Sequence, residues 1–376
     1  MNIGIISTCG NKYTWAGSEE TWKIFAEYAM NQGHNITCLL SPKLTNAPQV
    51  QNLKNKGAVF YKRNAFTPIT RRLANKRLYS RYSKFFKLDH DIIFLSMGSV
   101  ADAIWSPDLI HLINTTSIPV VVFAQANMEC LIDSEEQRII ARSFYENVNS
   151  IIFLSDHNKS LLERQIATKL NNSHKVMNPL TDKVNGPLPW PISTTLKMAQ
   201  VARLEVADKL QDQLIEALSS NKWKQRDWEL SFYGNGPDHD HILKLINMYE
   251  LDNKIKIAGF VSDFKDIWKK NHIHILATRR EGMPLSLIES MSCGRPALVT
   301  HAGGSSEVVQ NEVNGFIASG MHPQIIEETL DSLWAQKEKL EKMGNAAHEH
   351  INEILLDNWP EEILRILNKE VKSNDN

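Results

Sequence analysis

Two carboxylates, Glu281 and Glu289, stand eight positions apart in the run Arg279-Arg280-Glu281-Gly282-Met283-Pro284-Leu285-Ser286-Leu287-Ile288-Glu289. Gly282-Met283-Pro284 reads as a tight turn feeding a helix, and His272 to Ala277 just before it reads as a short buried strand. A helix start offers free N–H groups and partial positive charge, which suits a phosphate. Carboxylates beside it accept hydrogen bonds from hydroxyl groups. Phosphate and polyol together point to a sugar nucleotide.

Further residues share this placement after a strand. Arg203 follows Leu196–Val201, and Lys209 lies six positions on. Arg binds phosphate as a fork and Lys as a point charge, so the pair could hold a diphosphate. It could equally be two solvated cations. Gly17 and Ser18 close a polar loop after the first strand and read either as a cleft-facing turn or as an ordinary helix start with a capping serine. Gly259-Phe260 ends another strand, where backbone could meet a nucleobase edge or simply turn. Gly303-Gly304-Ser305-Ser306-Glu307 repeats the strand, glycine turn, helix pattern. Gly234-Asn235-Gly236 lacks the third glycine of a dinucleotide fingerprint. Asp238-His239-Asp240-His241 looks superficially metal-binding, but its adjacent positions point in different directions on a helix. We read it as a polar helix start.

The elements that must position these residues alternate between strand and helix, which predicts an α/β architecture with parallel sheets. At 376 residues the chain is long enough for two domains. Their expected bounds are 1–185 and 196–356, with a proline-rich hinge at 186–195 (Gly-Pro-Leu-Pro-Trp-Pro within it) and a C-terminal helix in 357–376 crossing back to the first domain. The expected fold is two doubly wound Rossmann-like domains facing across a cleft, with ligands beyond the carboxyl ends of the strands. A last helical stretch is expected from Pro323 to about Ile354, with a break at Asp357-Asn358-Trp359-Pro360 before a final helix, Glu361–Lys372. Net charge is −1, which gives no global basic field for nucleic acid. Four scattered cysteines favour a reducing compartment and no structural zinc.

The ordered set of Arg203 with Lys209, Gly234-x-Gly236-Pro237, Gly259-Phe260-Val261, Glu281 through Glu289, and Gly303-Gly304-x-x-Glu307 resembles the family 4 retaining glycosyltransferases of the GT-B fold. Ala16-Gly17-Ser18-Glu19-Glu20 resembles the family's glycine-rich first turn. The resemblance implies transfer of a sugar from a nucleotide diphosphate to a saccharide or lipid-linked acceptor, in polysaccharide or cell-envelope synthesis. It implies that Glu289 holds the ribose, and that Arg203 and Lys209 hold the diphosphate. Glu281 and the backbone of Gly282, Met283, Pro284 and Leu285 would position the donor sugar. Gly259 and Phe260 would line the base pocket, and Gly17 would approach the donor phosphate or acceptor. No cofactor and no metal are expected, because the cations stand where charge develops on the leaving group. Many members carry a histidine after the fifth strand. Here Gln125 takes its place, with Asn127 nearby, and both are candidate sugar or acceptor contacts. Ala202 and Leu210 replace two of the family's glycines. The alternatives are a binding subunit without turnover and another GT-B reaction such as sugar-nucleotide epimerisation.

From Lys62 to Leu88 there are nine Lys or Arg residues and no acid, with Phe66, Tyr79, Tyr82, Phe85 and Phe86 interleaved. Read as a helix, Leu78, Tyr82, Phe85 and Phe86 share one side. Such a stretch suits an anionic membrane surface or an acidic glycan, or it is a solvated helix whose aromatic side packs on the sheet. The expected location is cytoplasmic, peripheral on the inner face of the membrane.

Overall fold

The computed structural model describes residues 1–9, 15, 17–76 and 79–374. Ala16 of the first turn, and Arg77 and Leu78 of the basic stretch, lie outside the described residues. The chain divides into two compact units, 1–178 with 356–376, and 179–355.

The first unit holds a parallel sheet of β1 (Asn2–Ser7), β2 (Asn35–Leu40), β3 (Val59–Lys62), β4 (Ile92–Ser99), β5 (Val120–Ala126), β6 (Ser150–Phe153) and β7 (Ser173–Lys175). Their order is β3-β2-β1-β4-β5-β6-β7. Strands such as Ile92-Ile93-Phe94-Leu95 are apolar throughout and buried throughout, as a sheet covered on both faces requires. The helix Trp359–Asn374 belongs to this unit. Its Trp359 is buried, with its ring 6.0 Å from that of Phe123, and the helix packs on Gly17–Asn31.

The second unit holds β8 (Leu196–Val201), β9 (Trp228–Tyr233), β10 (Ile255–Gly259), β11 (Ile273–Leu276), β12 (Ala297–Thr300) and β13 (Gly315–Ala318), all parallel, in the order β10-β9-β8-β11-β12-β13. Each unit is therefore a Rossmann-like parallel sheet with its strand order reversing once. The reversal falls between β1 and β4 in the first and between β8 and β11 in the second. β13 is four residues long behind an Asn311–Asn314 turn and carries too little pattern to be read from sequence.

Three expectations are corrected or refined. The segment read as a hinge is fastened to the second unit, and the division falls at Asn178/Pro179. The buried Arg295 guanidinium donates to the Leu188 and Pro189 carbonyls at 3.2 and 2.6 Å, and Leu188 N donates to Cys293 O at 3.1 Å. Gly294, at φ +73°, leaves the space that a Cβ would take from Pro187, 2.7 Å away. Burial pushes the Arg295 side chain down to about 10, so it stays charged near neutrality and tied to carbonyls. Second, the helical stretch expected over Pro323 to about Ile354 consists of two helices, Pro323–Ala335 and Leu340–Ile354, joined by a 3₁₀ turn at Lys337–Lys339.

Third, the basic stretch is not one amphipathic helix. It forms helices Pro68–Asn75 and Ser83–Phe86, and its aromatic side is core: Tyr82 and Phe85 are buried. Two of its cations are buried as well. Arg63 donates to the carbonyls of Ser7, Thr8 and Cys9 at 3.2, 2.8 and 3.3 Å. Arg81 is paired with the fully buried Asp108 carboxylate.

Candidate active site

In the second unit the strand reversal places the segment after β8 beside the segment after β11, where open α/β sheets present their ligand crevice. After β8 the chain runs through Arg203 into a short helical turn, Val206–Lys209. Leu210 follows at φ +50°, a left-handed conformation in which glycine costs least. The Gly-x-Gly turn after β9 seats this segment. A Cβ on Gly234 would lie 2.2 Å from the Ala202 carbonyl oxygen, and one on Gly236 2.1 Å from that of Leu204. The glycines thus permit backbone packing under Arg203. Asp238 Oδ2 accepts from Val206 N at 2.8 Å and fixes the start of the short helix.

After β11, Thr278 to Pro284 forms the turn that feeds the helix Leu285–Ser292, with Pro284 at its N-cap. The turn is clamped from two sides. Thr278 Oγ1 donates to Asp208 O at 2.9 Å, and Arg279 N donates to the same oxygen at 2.8 Å. Gly304 N donates to Gly282 O at 2.7 Å, and Gly303, at φ +55°, lies so close that a Cβ would stand 2.3 Å from Gly282 O. The third glycine turn therefore shapes the main chain of the Glu281–Gly282 turn.

This brings the charged candidates together. Lys209 Nζ pairs with Glu281 Oε1, which also accepts from Thr278 Oγ1 at 3.2 Å. Both side chains are mostly buried, at 14% and 12% exposure, so water screens the pair little. Arg203 donates through Nε to Glu205 Oε2 at 2.7 Å and approaches Asp208 Oδ2 at 3.4 Å. Arg280 pairs with the same Asp208 oxygen. The result is three cations, Arg203, Lys209 and Arg280, held in place by acids at one sheet edge. Their backbone is braced from beneath by Gln200 Nε2, which donates to Lys209 O and Ala277 O, and by Gln211 Nε2, which donates to Arg203 O. Asp208, Arg280, Thr278, Gln200 and Gln211 were not singled out from the sequence. Arg280 stood in the quoted run without a role.

Glu289 lies one turn into its helix and accepts from Thr181 Oγ1 at 2.9 Å. Gly282, Met283 and Pro284 are buried, and Leu285 is half-buried. Gly259, at φ +75°, ends β10 with open space where a Cβ would stand, and its carbonyl accepts from Gly234 N at 2.9 Å. Phe260 is 72% exposed, so its ring offers a free face.

Gly17, Gln125 and Asn127 belong to the first unit. Gly17 opens the helix Gly17–Asn31 and is exposed. Around this helix start, the buried Glu19 accepts from Ser7 Oγ at 3.2 Å and Ser18 Oγ at 2.7 Å. Burial pushes its carboxyl above the ordinary range, and those hydroxyls pull the other way. Burial likewise raises Asp102, which accepts from Thr8 Oγ1. Gln125 is buried at the end of β5, and its Nε2 donates to Ser96 Oγ at 3.2 Å. Asn127 is also buried. Its amide donates to Gln165 Oε1 at 3.1 Å and accepts from Met128 N at 2.8 Å, which ties the loop after β5 to the helix Asp156–Ile166.

Among the described residues no group of three or more His, Cys, Asp or Glu is placed to hold a metal ion. No helix of the described residues is long and apolar enough to cross a membrane.

Residues 191–350 match the family model described as glycosyl transferases group 1. The N-acetyl-alpha-D-glucosaminyl L-malate synthase of Bacillus anthracis is 25% identical over 127 residues, 34% of this chain and 33% of that protein. The GtfA subunit of the UDP-N-acetylglucosamine–peptide N-acetylglucosaminyltransferase of Streptococcus pneumoniae is 20% identical over 357 residues, 84% of this chain and 69% of that one. The chain spans 23%, 33%, 51% and 36% of the first four curated relatives it matches. Among solved structures, Anabaena Alr3699/HepE in complex with UDP superposes with a TM-score of 0.74 at 14% identity, over 98% of this chain and 100% of that one. The second unit thus carries the match to group 1 glycosyl transferases, and the whole chain has the GT-B fold, two Rossmann-like domains with parallel sheets.

Proposed function

We propose that this protein is a retaining glycosyltransferase that moves a sugar from a nucleotide diphosphate sugar to a saccharide or lipid-linked acceptor in polysaccharide or cell-envelope synthesis. The observation that carries this reading is the convergence of Arg203, Lys209 and Arg280 with Glu281 beside the helix start at Leu285. Cleavage of the bond between the sugar's anomeric carbon and the diphosphate oxygen leaves negative charge on the diphosphate. Cations already held by acids need no reorganisation to meet that charge. Arg203 and Lys209 bind the diphosphate in this reading, Glu281 and the Gly282–Leu285 backbone orient the sugar, and Glu289 accepts from the ribose hydroxyls. The base lies against Gly259 and Phe260. With charge supplied by side chains, the reaction is proposed to run without a metal ion and to survive EDTA. UDP is the first nucleotide to try, since the names of several relatives and structures carry it.

The test is release of nucleoside diphosphate from UDP-, GDP- and ADP-sugars, with and without an acceptor pool. Glu289→Ala should raise the donor KM, and Arg203→Ala should mainly lower kcat. Wild-type kinetics for both variants would remove the site assignment. Donor binding without turnover under every acceptor would identify a binding subunit instead.

A further inference from the structure

The three cations at the sheet edge of the second unit are matched by three acids. Glu205 and Asp208 face Arg203, Asp208 also faces Arg280, and Glu281 faces Lys209. These six charges balance one another. A diphosphate arriving there meets cations that are already satisfied, and it gains the full charge of one only where an acid gives it up.

The acids are not placed alike. Asp208 is shared by two guanidinium groups, and its carbonyl holds Thr278 and Arg279. Glu281 accepts from Thr278 Oγ1 as well as from Lys209. Glu205 instead lies along one edge of Arg203. Its Oε2 accepts from Nε at 2.7 Å and stands 2.5 Å from Nη2. Two N–H groups point out from that edge side by side, the arrangement by which a guanidinium grips a carboxylate or a phosphate. One anion on the edge excludes another. The main chain behind Glu205 is fixed: its N donates to Arg203 O at 2.9 Å, and its carbonyl accepts from Asp208 N at 3.1 Å and Lys209 N at 2.8 Å. The side chain beyond can change rotamer without moving that backbone. Arg203 is likewise anchored, since its carbonyl accepts from Gln211 Nε2 at 2.9 Å.

We propose that Glu205 is a displaceable placeholder for the donor diphosphate. Without donor its carboxylate holds the Nε–Nη2 edge of Arg203. When donor binds, the carboxylate swings away and a phosphate takes the edge, while the guanidinium keeps its place and changes only its partner. After transfer, the returning carboxylate competes with the nucleoside diphosphate and speeds its release. Glu205 is thus a positioning residue that sets affinity through Arg203. The proposal rests on the reading of Arg203 as a diphosphate ligand.

Titration calorimetry of the full chain with UDP, GDP and ADP tests it, on the wild type, Glu205→Gln, Arg203→Gln and the double variant. Glutamine keeps the length and an acceptor oxygen and drops the charge. For the nucleotide that the wild type binds most tightly, Glu205→Gln should lower Kd about tenfold, the scale of one charge contact in a mostly buried setting. The gain should vanish in the Arg203→Gln background, because the two residues act as a pair. A carboxylate that merely steadied Arg203 gives the opposite sign, weaker binding in Glu205→Gln. Equal or weaker binding by Glu205→Gln, with Arg203→Gln weakened, therefore overturns the placeholder and leaves the diphosphate site standing. A gain that persists without Arg203 overturns it as well. Wild-type affinity in Arg203→Gln, or no binding of the three nucleotides by the wild type, removes the site reading and the placeholder together.

Discussion

Lys209 and Glu281 are 72 positions apart and joined as an ion pair in a mostly buried setting. Removing either partner strands the other's charge. Lys209→Met and Glu281→Gln should each lower kcat/KM about 100-fold, roughly 2.7 kcal/mol. The double variant should lose far less than the product of the two, because the residues act as one unit. Strict additivity in the four-way cycle would show that they work separately.

Asp208 is the shared anchor of Arg203 and Arg280. In Asp208→Asn the backbone carbonyl still accepts from Thr278 and Arg279, while two guanidinium groups lose their common counter-charge. The expected outcome is a kcat about tenfold lower, in the range of one misplaced positioning contact, with much of the loss recovered in Asp208→Glu. Steady-state kinetics on the three proteins decide it. A normal Asn variant would mean that the guanidiniums hold their places unaided.

Gly303 has no room for a side chain under the Glu281–Gly282 turn. Gly303→Ala must push that turn away or strain a left-handed residue, at a cost on the order of 1–3 kcal/mol. Activity should fall at least tenfold while the chain remains folded by circular dichroism. Unaltered donor kinetics would detach this third glycine turn from the site.

His274 sits wholly inside the second unit, with its Nδ1 3.2 Å from Ser290 Oγ, and burial pushes its pKa down to about 3. The unfolded chain takes up a proton near pH 6.5, and the folded one does not until about 3. Stability from this group is therefore complete above pH 6.5 and drains as pH falls from there toward 3, by up to about 1.4 kcal/mol per pH unit. Urea melts across that range should show the slope, and His274→Asn should flatten it. An equal slope in the variant would place the proton uptake elsewhere.

Much of this was legible in the sequence because it is local. Arg203 to Lys209 and Glu281 to Glu289 each lie on one short stretch, and their strand-end placement follows from alternation. The partners were not legible, because they are made by sheet order. Only the pairing of β11 beside β8 brings Asp208 to Arg280, and nothing near either residue announces it. The basic stretch shows the opposite failure. Arg63 and Arg81 look like surface charge by composition, yet one satisfies the carbonyls that end β1 and the other neutralises Asp108. Burial of a cation depends on acceptors supplied from elsewhere in the chain. The proline-rich segment read as a hinge for a similar reason: proline shows stiffness, but Arg295, more than a hundred positions away, decides where that stiff segment is moored.

The second unit is one uninterrupted length of chain, whereas the first is two lengths separated by it. On a ribosome this fixes an order of completion. Pro179–Leu355 has been synthesised in full before the helix Trp359–Asn374, so the earlier-made unit must wait for its last piece. During that interval Phe123 lacks Trp359 against its ring, and the helix Gly17–Asn31 lacks a neighbour. The oldest part of the nascent protein is thus the last to be completed, and the apolar surface that Trp359 covers stays open until then.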